Sequence, residues 1–176
     1  EQLAQSTINE NVTSMAGVPT WTIVLIKRIL DISKKATHKE VWPNLELYIH
    51  GGVSFTPYRE QLNNLVGAPI NYLEIYNASE GFFAAQNEPG DEGMLLYTEH
   101  GIFYEFMPVE EYGKKKPVTI GLKHVELNKN YALVISTNGG LWRYLVGDTV
   151  QFTSLRPFKI KVTGRIKHYM NAFGEE

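Results

Sequence analysis

The spacing of hydrophobic positions predicts a helix early in the chain. After Pro19, apolar residues recur at helical spacing, while lysine and arginine fall largely between them. This pattern is typical of an amphipathic helix with proline in its first turn and a solvated basic face. The apolar positions expected to face inward are Trp21, Leu25, Ile29 and Ile32.

Two strands are predicted next, on either side of a second helix. "LELYIH" and "INYLEIY" are apolar runs of strand length. Between them, Thr56 is placed to cap a helix that has Pro57 at its first position and turns Tyr58, Leu62 and Leu65 inward. This order of elements predicts a layered α/β region with neighbouring strands.

The pattern changes at about residue 90. Short runs rich in β-branched and aromatic residues follow one another, separated by turn residues, which predicts successive antiparallel strands in a sheet or a distorted barrel. The runs are "MLLYT", "IFYEFMPV", "YALVIST", "LWRYLV", "TVQFTSL" and "FKIKVTG". The predicted fold class is therefore α/β, with a layered region in residues 1–90 and antiparallel β structure in residues 91–164.

Composition and charge narrow the classes of function. A net charge of −2 gives no electrostatic footprint for nucleic acid, and the chain has no cysteine for thiolate chemistry. No apolar run approaches the ~20 residues that cross a bilayer, so we expect no membrane partner. The five histidines lack the local spacing of a zinc site, and neither G-x-x-x-x-G-K-[ST] nor G-x-S-x-G occurs.

Four short stretches place glycine and polar residues at predicted strand ends, where open α/β sheets bind ligands. They are His50-Gly51-Gly52, Tyr76 to Gly81, Tyr144 to Asp148, and Thr163-Gly164-Arg165. Taken singly, each has an ordinary structural explanation. The glycines and the aspartate suit turns, the arginine suits a surface ion pair, and the serine suits a turn cap.

Taken together, the same side chains match the parts of a nucleotide site. The Ser79 hydroxyl suits phosphate oxygens, and the Glu80 carboxylate is a hard oxygen ligand of the kind that Mg²⁺ prefers. Tyr76 offers a flat face for a purine. Asp148 can accept hydrogen bonds from ribose hydroxyls, and Arg165 can pair with phosphate in a forked geometry.

In order and spacing, the four stretches resemble the signature of adenylate-forming enzymes, the superfamily of acyl-CoA synthetases and luciferases. The sequence of these segments is similar to that of one branch of this superfamily, the auxin-responsive acyl acid amido synthetases known as the Gretchen Hagen family. The similarity suggests a homologue of the bacterial type. The segments that carry this resemblance include "VWPNLELYIHGGVSFTPYR", "YNASEG", "YALVISTNGGLWRYLVGD" and "VTGRIKHYMNAFGEE". The resemblance covers residues 17–176.

The resemblance implies activation of an acyl acid by ATP and Mg²⁺ as acyl-AMP, followed by transfer to the amine of an amino acid. Ser79 and Glu80 would act in catalysis at the phosphate and metal, and Asp148 would hold the ribose. The further positions implied to bind nucleotide are Gly51, Gly52, Tyr76, Asn77, Ala78, Tyr144 and Arg165. Phe82 and Phe83 would help to form the wall of the acyl pocket, although phenylalanine is often plain core.

The sequence departs from the family pattern in two places. It contains no Ser/Thr/Gly-rich triphosphate loop such as "SSGTS", and residues 165–176 would form only the hinge and the start of a C-terminal lid. We therefore expect a central fragment of a cytoplasmic enzyme, whose partners are the rest of the parent chain. Two alternatives stay open: an adenylate-forming enzyme of the acyl-CoA ligase type, and an inactive nucleotide-binding fragment or scaffold module.

Overall fold

The computed structural model describes residues 1–167, and these fall into two compact units. The first unit runs from Glu1 to Asn77, and the described part of the second runs from Ala78 to residue 167. This division comes earlier than the change of pattern at residue 90, because residues 81–85 already form a strand that pairs within the second unit. Most of the expected hinge and lid segment, residues 168–176, lies outside the described residues.

The first unit is an α/β layer built on parallel strands. Its elements are α1 (Gln2–Thr7), β1 (Ser14–Gly17), α2 (Pro19–Ser33), a 3₁₀ turn (His38–Glu40), β2 (Leu47–His50), α3 (Thr56–Val66) and β3 (Asn71–Ala78). β2 lies in the middle and pairs in parallel with β1 and β3. The β2–α3–β3 order confirms the prediction. β1 was not predicted, because "SMAG" carries almost no strand signal.

The two long helices bury apolar faces against the strands. Ile23 and Ile26 of α2 pack in one cluster with Tyr48 of β2 and with Phe55 and Leu62 at α3. Burial of each such side chain is worth about 1.5–3 kcal/mol, which is what fixes the helices on the sheet.

Two details of the predicted helices are wrong. Trp21 is 75% exposed, because the buried stripe of α2 follows Ile23, Ile26 and Ile29 instead. Thr56 is the first helical residue rather than the cap, and Phe55 occupies the cap position without a side-chain hydrogen bond.

The second unit is an antiparallel sheet, as predicted. Its strands are β4 (Gly81–Ala85), β5 (Met94–Leu96), β6 (Ile102–Pro108), β7 (Asn130–Thr137), β8 (Tyr144–Leu155) and β9 (Phe158–Arg165), and its short 3₁₀ turns are Val109–Glu111 and Leu122–His124. Pairing runs β4–β5–β9–β8–β7–β6, so β8 and β9 lie at the centre. "LWRYLV" and "TVQFTSL" do not form two strands. From Tyr144 onward they form the single strand β8, which continues through Gly147 and Asp148.

An aromatic cluster holds the second unit together. Phe106, Tyr131 and Phe152, from β6, β7 and β8, meet edge to face with ring centroids 5.0–6.2 Å apart. Edge-to-face packing at these distances stabilises aromatic pairs beyond the burial of their area. The cluster packs β8 against β6 and β7 and so helps to position the polar residues at the start of β8.

Candidate functional site

The Gly51-Gly52 turn follows β2 directly and lies against β3. A side chain at Gly51 would place its Cβ 2.5 Å from the backbone oxygen of Ile75, a distance that real Cβ atoms do not reach. Gly52 has φ of 81°, a conformation that favours glycine. Both glycines are therefore required by the backbone, and Gly51 allows the turn to approach β3 closely.

Replacing Gly51 by alanine is expected to destabilise the protein by about 1–3 kcal/mol, because the clash is with backbone rather than with a flexible side chain. Gly121→Ala is the matched control, since Gly121 has open space around its Cα and φ of −87°. Urea denaturation would measure both variants. Equal stabilities for the two would contradict the close approach of the turn to β3.

His50, the residue before this turn, is 3% exposed and lies in an aromatic setting. Its ring stacks on Phe55 with centroids 4.0 Å apart, and the Arg59 guanidinium lies 5.1 Å from the centroid of the Phe55 ring. Burial and then the nearby Arg59 charge lower the pKa of His50 to about 4. His50 is therefore neutral at pH 7 and resists protonation in the folded state.

This depressed pKa predicts loss of stability in acid. An unfolded histidine takes up a proton below about pH 6.5, whereas folded His50 does so only near pH 4. Stability is therefore complete above pH 6.5 and falls as the pH drops toward 4, by about 2 kcal/mol between pH 7 and pH 5. His50→Phe should remove this part of the pH dependence, and the exposed His124→Gln should not. Denaturation curves at pH 7 and pH 5 would measure it, and an unchanged slope in His50→Phe would contradict the assignment.

The Tyr76 to Glu80 motif spans the end of β3 and the turn after it. Only 6% of Tyr76 is exposed, so its ring does not present the open face that a purine would stack on. Asn77 and Ala78 complete β3, and Ser79 and Glu80 form the turn before β4. Ser79 is exposed and Glu80 half-buried, so both side chains of the turn remain accessible.

The two phenylalanines after the motif lie in different environments, because consecutive side chains of a strand point to opposite faces of the sheet. Phe83 is fully buried and packs near Tyr104, whereas Phe82 is 41% exposed and stacks on Tyr97 with ring centroids 5.6 Å apart. Of the two, Phe82 is the one with surface available to a ligand.

Asp148 and Arg165 are brought together in the second unit. They oppose each other on β8 and β9, and Arg165 Nε forms an ion pair with Asp148 Oδ1 at 2.8 Å. The Asp148 side chain is 13% exposed and that of Arg165 is 64% exposed. Gly147 has φ of 92°, a conformation that favours glycine, and its backbone lies beside the guanidinium of Arg165. The result is a shielded carboxylate held by an accessible cation.

Arg143 anchors the start of the same strand, just before the half-exposed Tyr144. Its guanidinium donates to both carboxylate oxygens of Glu105, each at 3.0 Å, and to the Thr119 hydroxyl at 2.9 Å. Burial alone would raise the pKa of Glu105, but the hydrogen bonds from Thr119 and Arg143 lower it below its usual value. Sequence reasoning missed these contacts of Arg143 with Glu105 and Thr119, although the position of Arg143 directly before the Tyr144 to Asp148 stretch was a usable signal.

Within each unit, the structure brings some of the predicted site residues together and not others. Gly51 and Gly52 lie beside β3, and Asp148 contacts Arg165. The turn of Ser79 and Glu80 is not a cross-strand neighbour of that pair, because β4 connects to β9 through β5 at Ala85, Leu95 and Lys159.

The fold is similar to that of solved acyl acid amido synthetase and CoA ligase structures. The structure of AtGH3.15 acyl acid amido synthetase in complex with 2,4-DB matches 93% of this chain and 38% of its own chain, with a TM-score of 0.74 and 17% identity. An open conformation of 2-hydroxyisobutyryl-CoA ligase in complex with 2-HIB-AMP and CoA matches 93% of this chain and 36% of its own, with a TM-score of 0.65 and 15% identity. Both likenesses concern the fold.

The family follows from the sequence matches. The model of the GH3 family N-terminal domain matches residues 1–70, and that of the GH3 family central domain matches residues 95–165. The chain belongs to the GH3 family, which confirms the resemblance. Indole-3-acetic acid-amido synthetase GH3.3 of Arabidopsis thaliana is 31% identical over 121 residues, which are 65% of this chain and 20% of the relative. Jasmonoyl–L-amino acid synthetase JAR4 of Nicotiana attenuata is 30% identical over 118 residues, 64% of this chain and 20% of the relative.

The chain thus spans about a fifth of the length of these curated relatives. No helix within residues 1–167 is long and apolar enough to cross a membrane.

Proposed function

We propose that this chain is the central part of a longer enzyme that activates an acyl acid with ATP as acyl-AMP and then transfers the acyl group to the amine of an amino acid. The single observation that carries the proposal is the Asp148–Arg165 pair, 2.8 Å apart, in a chain of the GH3 family. The names of the relatives, which are amido synthetases, support the same activity.

Asp148 is suited to hold the ribose of the nucleotide. A carboxylate can accept several hydrogen bonds, and that of Asp148 lies in a shielded position where hydrogen bonds to hydroxyl groups are strong. Arg165, which is largely exposed, would pair with phosphate. Tyr144, half-exposed at the start of the same strand, would contact the nucleotide from β8.

Ser79 and Glu80 would form the part of the site that binds the phosphates and the metal ion. A turn between two strands presents a hydroxyl and a carboxylate side by side, and Mg²⁺ is commonly held by one or two carboxylates together with substrate phosphates. The ion would neutralise charge on the phosphates during adenylation. Ala78, the residue before this turn, would contribute backbone to the nucleotide site.

The acyl side of the site would use Phe82, whose exposed ring face is backed by Tyr97. The Phe83 side chain would act from the core, by holding β4 in place. We place the parent enzyme in the cytoplasm, where ATP, Mg²⁺ and amino acids are available, and we expect the rest of its chain to supply the triphosphate loop and the lid.

The experiment is product analysis by mass spectrometry with the full-length protein, ATP, Mg²⁺, a panel of carboxylic acids and either amino acids or coenzyme A. The proposal predicts an acyl–amino acid amide and AMP. A thioester formed only with coenzyme A would favour the acyl-CoA ligase alternative. AMP binding without any product would favour an inactive nucleotide-binding module.

A further inference from the structure

A chain of polar side chains links three strands of the second unit beneath the Asp148–Arg165 pair. The Thr163 hydroxyl on β9 lies 3.0 Å from Oδ1 of Asn130 on β7 and 2.9 Å from Oγ1 of Thr149 on β8. A threonine hydroxyl has one proton and two lone pairs, so Thr163 can donate to the amide oxygen while it accepts from Thr149. Thr149 is fully buried, which makes this a specific contact rather than a surface one.

Thr163 occupies an irregular point in the pairing of β8 and β9. Asp148 opposes Arg165 and Thr149 opposes Gly164, but Val150 opposes Val162, so Thr163 is the extra residue of a β-bulge. A bulge bends its strand and turns the side chains that follow it in a new direction. Thr163, the residue without a partner in the ladder, is therefore the one whose hydroxyl contacts both the neighbouring strand β8, at Thr149, and the next strand β7, at Asn130.

We propose that Thr163 is a positioning residue for nucleotide binding: its hydroxyl fixes the bulge and so sets the direction in which Arg165 approaches Asp148. This inference rests on the proposed function of the Asp148–Arg165 pair. Arg165 is 64% exposed, so water competes for its guanidinium, and packing around its long side chain cannot orient it. The bulge beneath it can, because the hydroxyl of Thr163 holds the backbone one residue before Gly164.

Removal of the Thr163 hydroxyl should therefore weaken nucleotide binding without removing any group that touches the nucleotide. Loss of one hydrogen bond, together with the buried Thr149 hydroxyl left with a poorer partner, corresponds to about a tenfold change in an equilibrium constant. The effect should appear in the KM for ATP and in the Kd for AMP. The kcat should change by less than about twofold, since the reacting atoms keep their partners.

The test uses three variants of the full-length protein: Thr163→Val, Thr163→Ser and Thr153→Val. Serine keeps the hydroxyl and should rescue binding. Thr153, on the same strand as Thr149, has a buried hydroxyl with no hydrogen-bond partner among the described residues, so its replacement by valine is the matched control. Calorimetry would give the Kd for AMP, steady-state kinetics the KM and kcat, and thermal denaturation the Tm of each variant.

We expect Thr163→Val to raise the Kd for AMP about tenfold. The Kd values of Thr163→Ser and Thr153→Val should stay near that of the wild type. In the Arg165→Ala background, Thr163→Val should change the Kd little further. Equal Kd values for Thr163→Val and Thr153→Val would overturn the inference, as would a full Thr163→Val effect in the Arg165→Ala background. If the wild type binds AMP but turns over no acid, only the proposed activity fails, and the Kd values still decide this inference. If the wild type does not bind AMP, both fail.

Discussion

Glu80→Gln should lower the rate of acid-dependent pyrophosphate release by at least about 100-fold in the full-length protein. Glutamine keeps the size of the side chain but removes the charge that would hold Mg²⁺ against the phosphates. A loss of about 3 kcal/mol of transition-state stabilisation corresponds to this factor. Because Glu80 lies in a turn and is half-buried, we expect the fold to be retained.

Glu99→Gln is the control for Glu80, since Glu99 is an exposed glutamate in another turn of the same unit. It should keep the wild-type rate. Pyrophosphate release would be followed by a coupled assay at saturating ATP and at several Mg²⁺ concentrations. A Glu80→Gln enzyme with a rate close to that of Glu99→Gln would remove Glu80 from the catalytic site.

Asp148→Asn should raise the KM for ATP by about 50- to 100-fold. The variant replaces charge-assisted hydrogen bonds to the ribose, each worth about 1.5–3 kcal/mol, by weaker neutral ones. The Tm should fall only slightly, because Arg165 is largely exposed and becomes hydrated when the pair is lost. A large effect on binding with a small effect on folding is the signature of a ligand-binding carboxylate.

Initial rates as a function of ATP concentration, together with thermal denaturation, would measure both quantities for Asp148→Asn. Asp31→Asn, an exposed aspartate at the end of α2, serves as the control and should change neither. If Asp148→Asn lowered the Tm strongly and left the KM unchanged, the Asp148–Arg165 pair would be structural only.

The sequence predicted the elements that have strong periodicity. α2, α3, β2, β3 and most of the antiparallel strands carry apolar patterns long enough to identify. β1 and β4 were missed because four or five residues such as "SMAG" and "GFFAA" do not alternate between polar and apolar positions. The inward face of α2 was misjudged at Trp21, because its helical spacing with the apolar residues that follow suggested burial, whereas the buried stripe runs through Ile23 and Ile26.

The candidate site was recognised from motifs rather than from physical patterns, and this explains what was missed. Asp148 and Arg165 were each assigned a ligand, but their contact depends on strand register, which a bulge at Thr163 shifts and which the sequence does not encode locally. The roles of Thr163 and Arg143 arise from partners far away in sequence, Asn130 and Glu105. Burial of Tyr76 likewise depends on tertiary packing.

Formation of acyl-AMP by the protein that contains this chain is the central proposal. Exchange of radiolabelled pyrophosphate into ATP tests it most directly, because the exchange requires reversible adenylation of the acid and no amino acid acceptor. We expect exchange that depends on a carboxylic acid and on Mg²⁺ and that is lost in Glu80→Gln. Absence of acid-dependent exchange by the full-length wild-type protein, across aromatic and aliphatic acids, would contradict it.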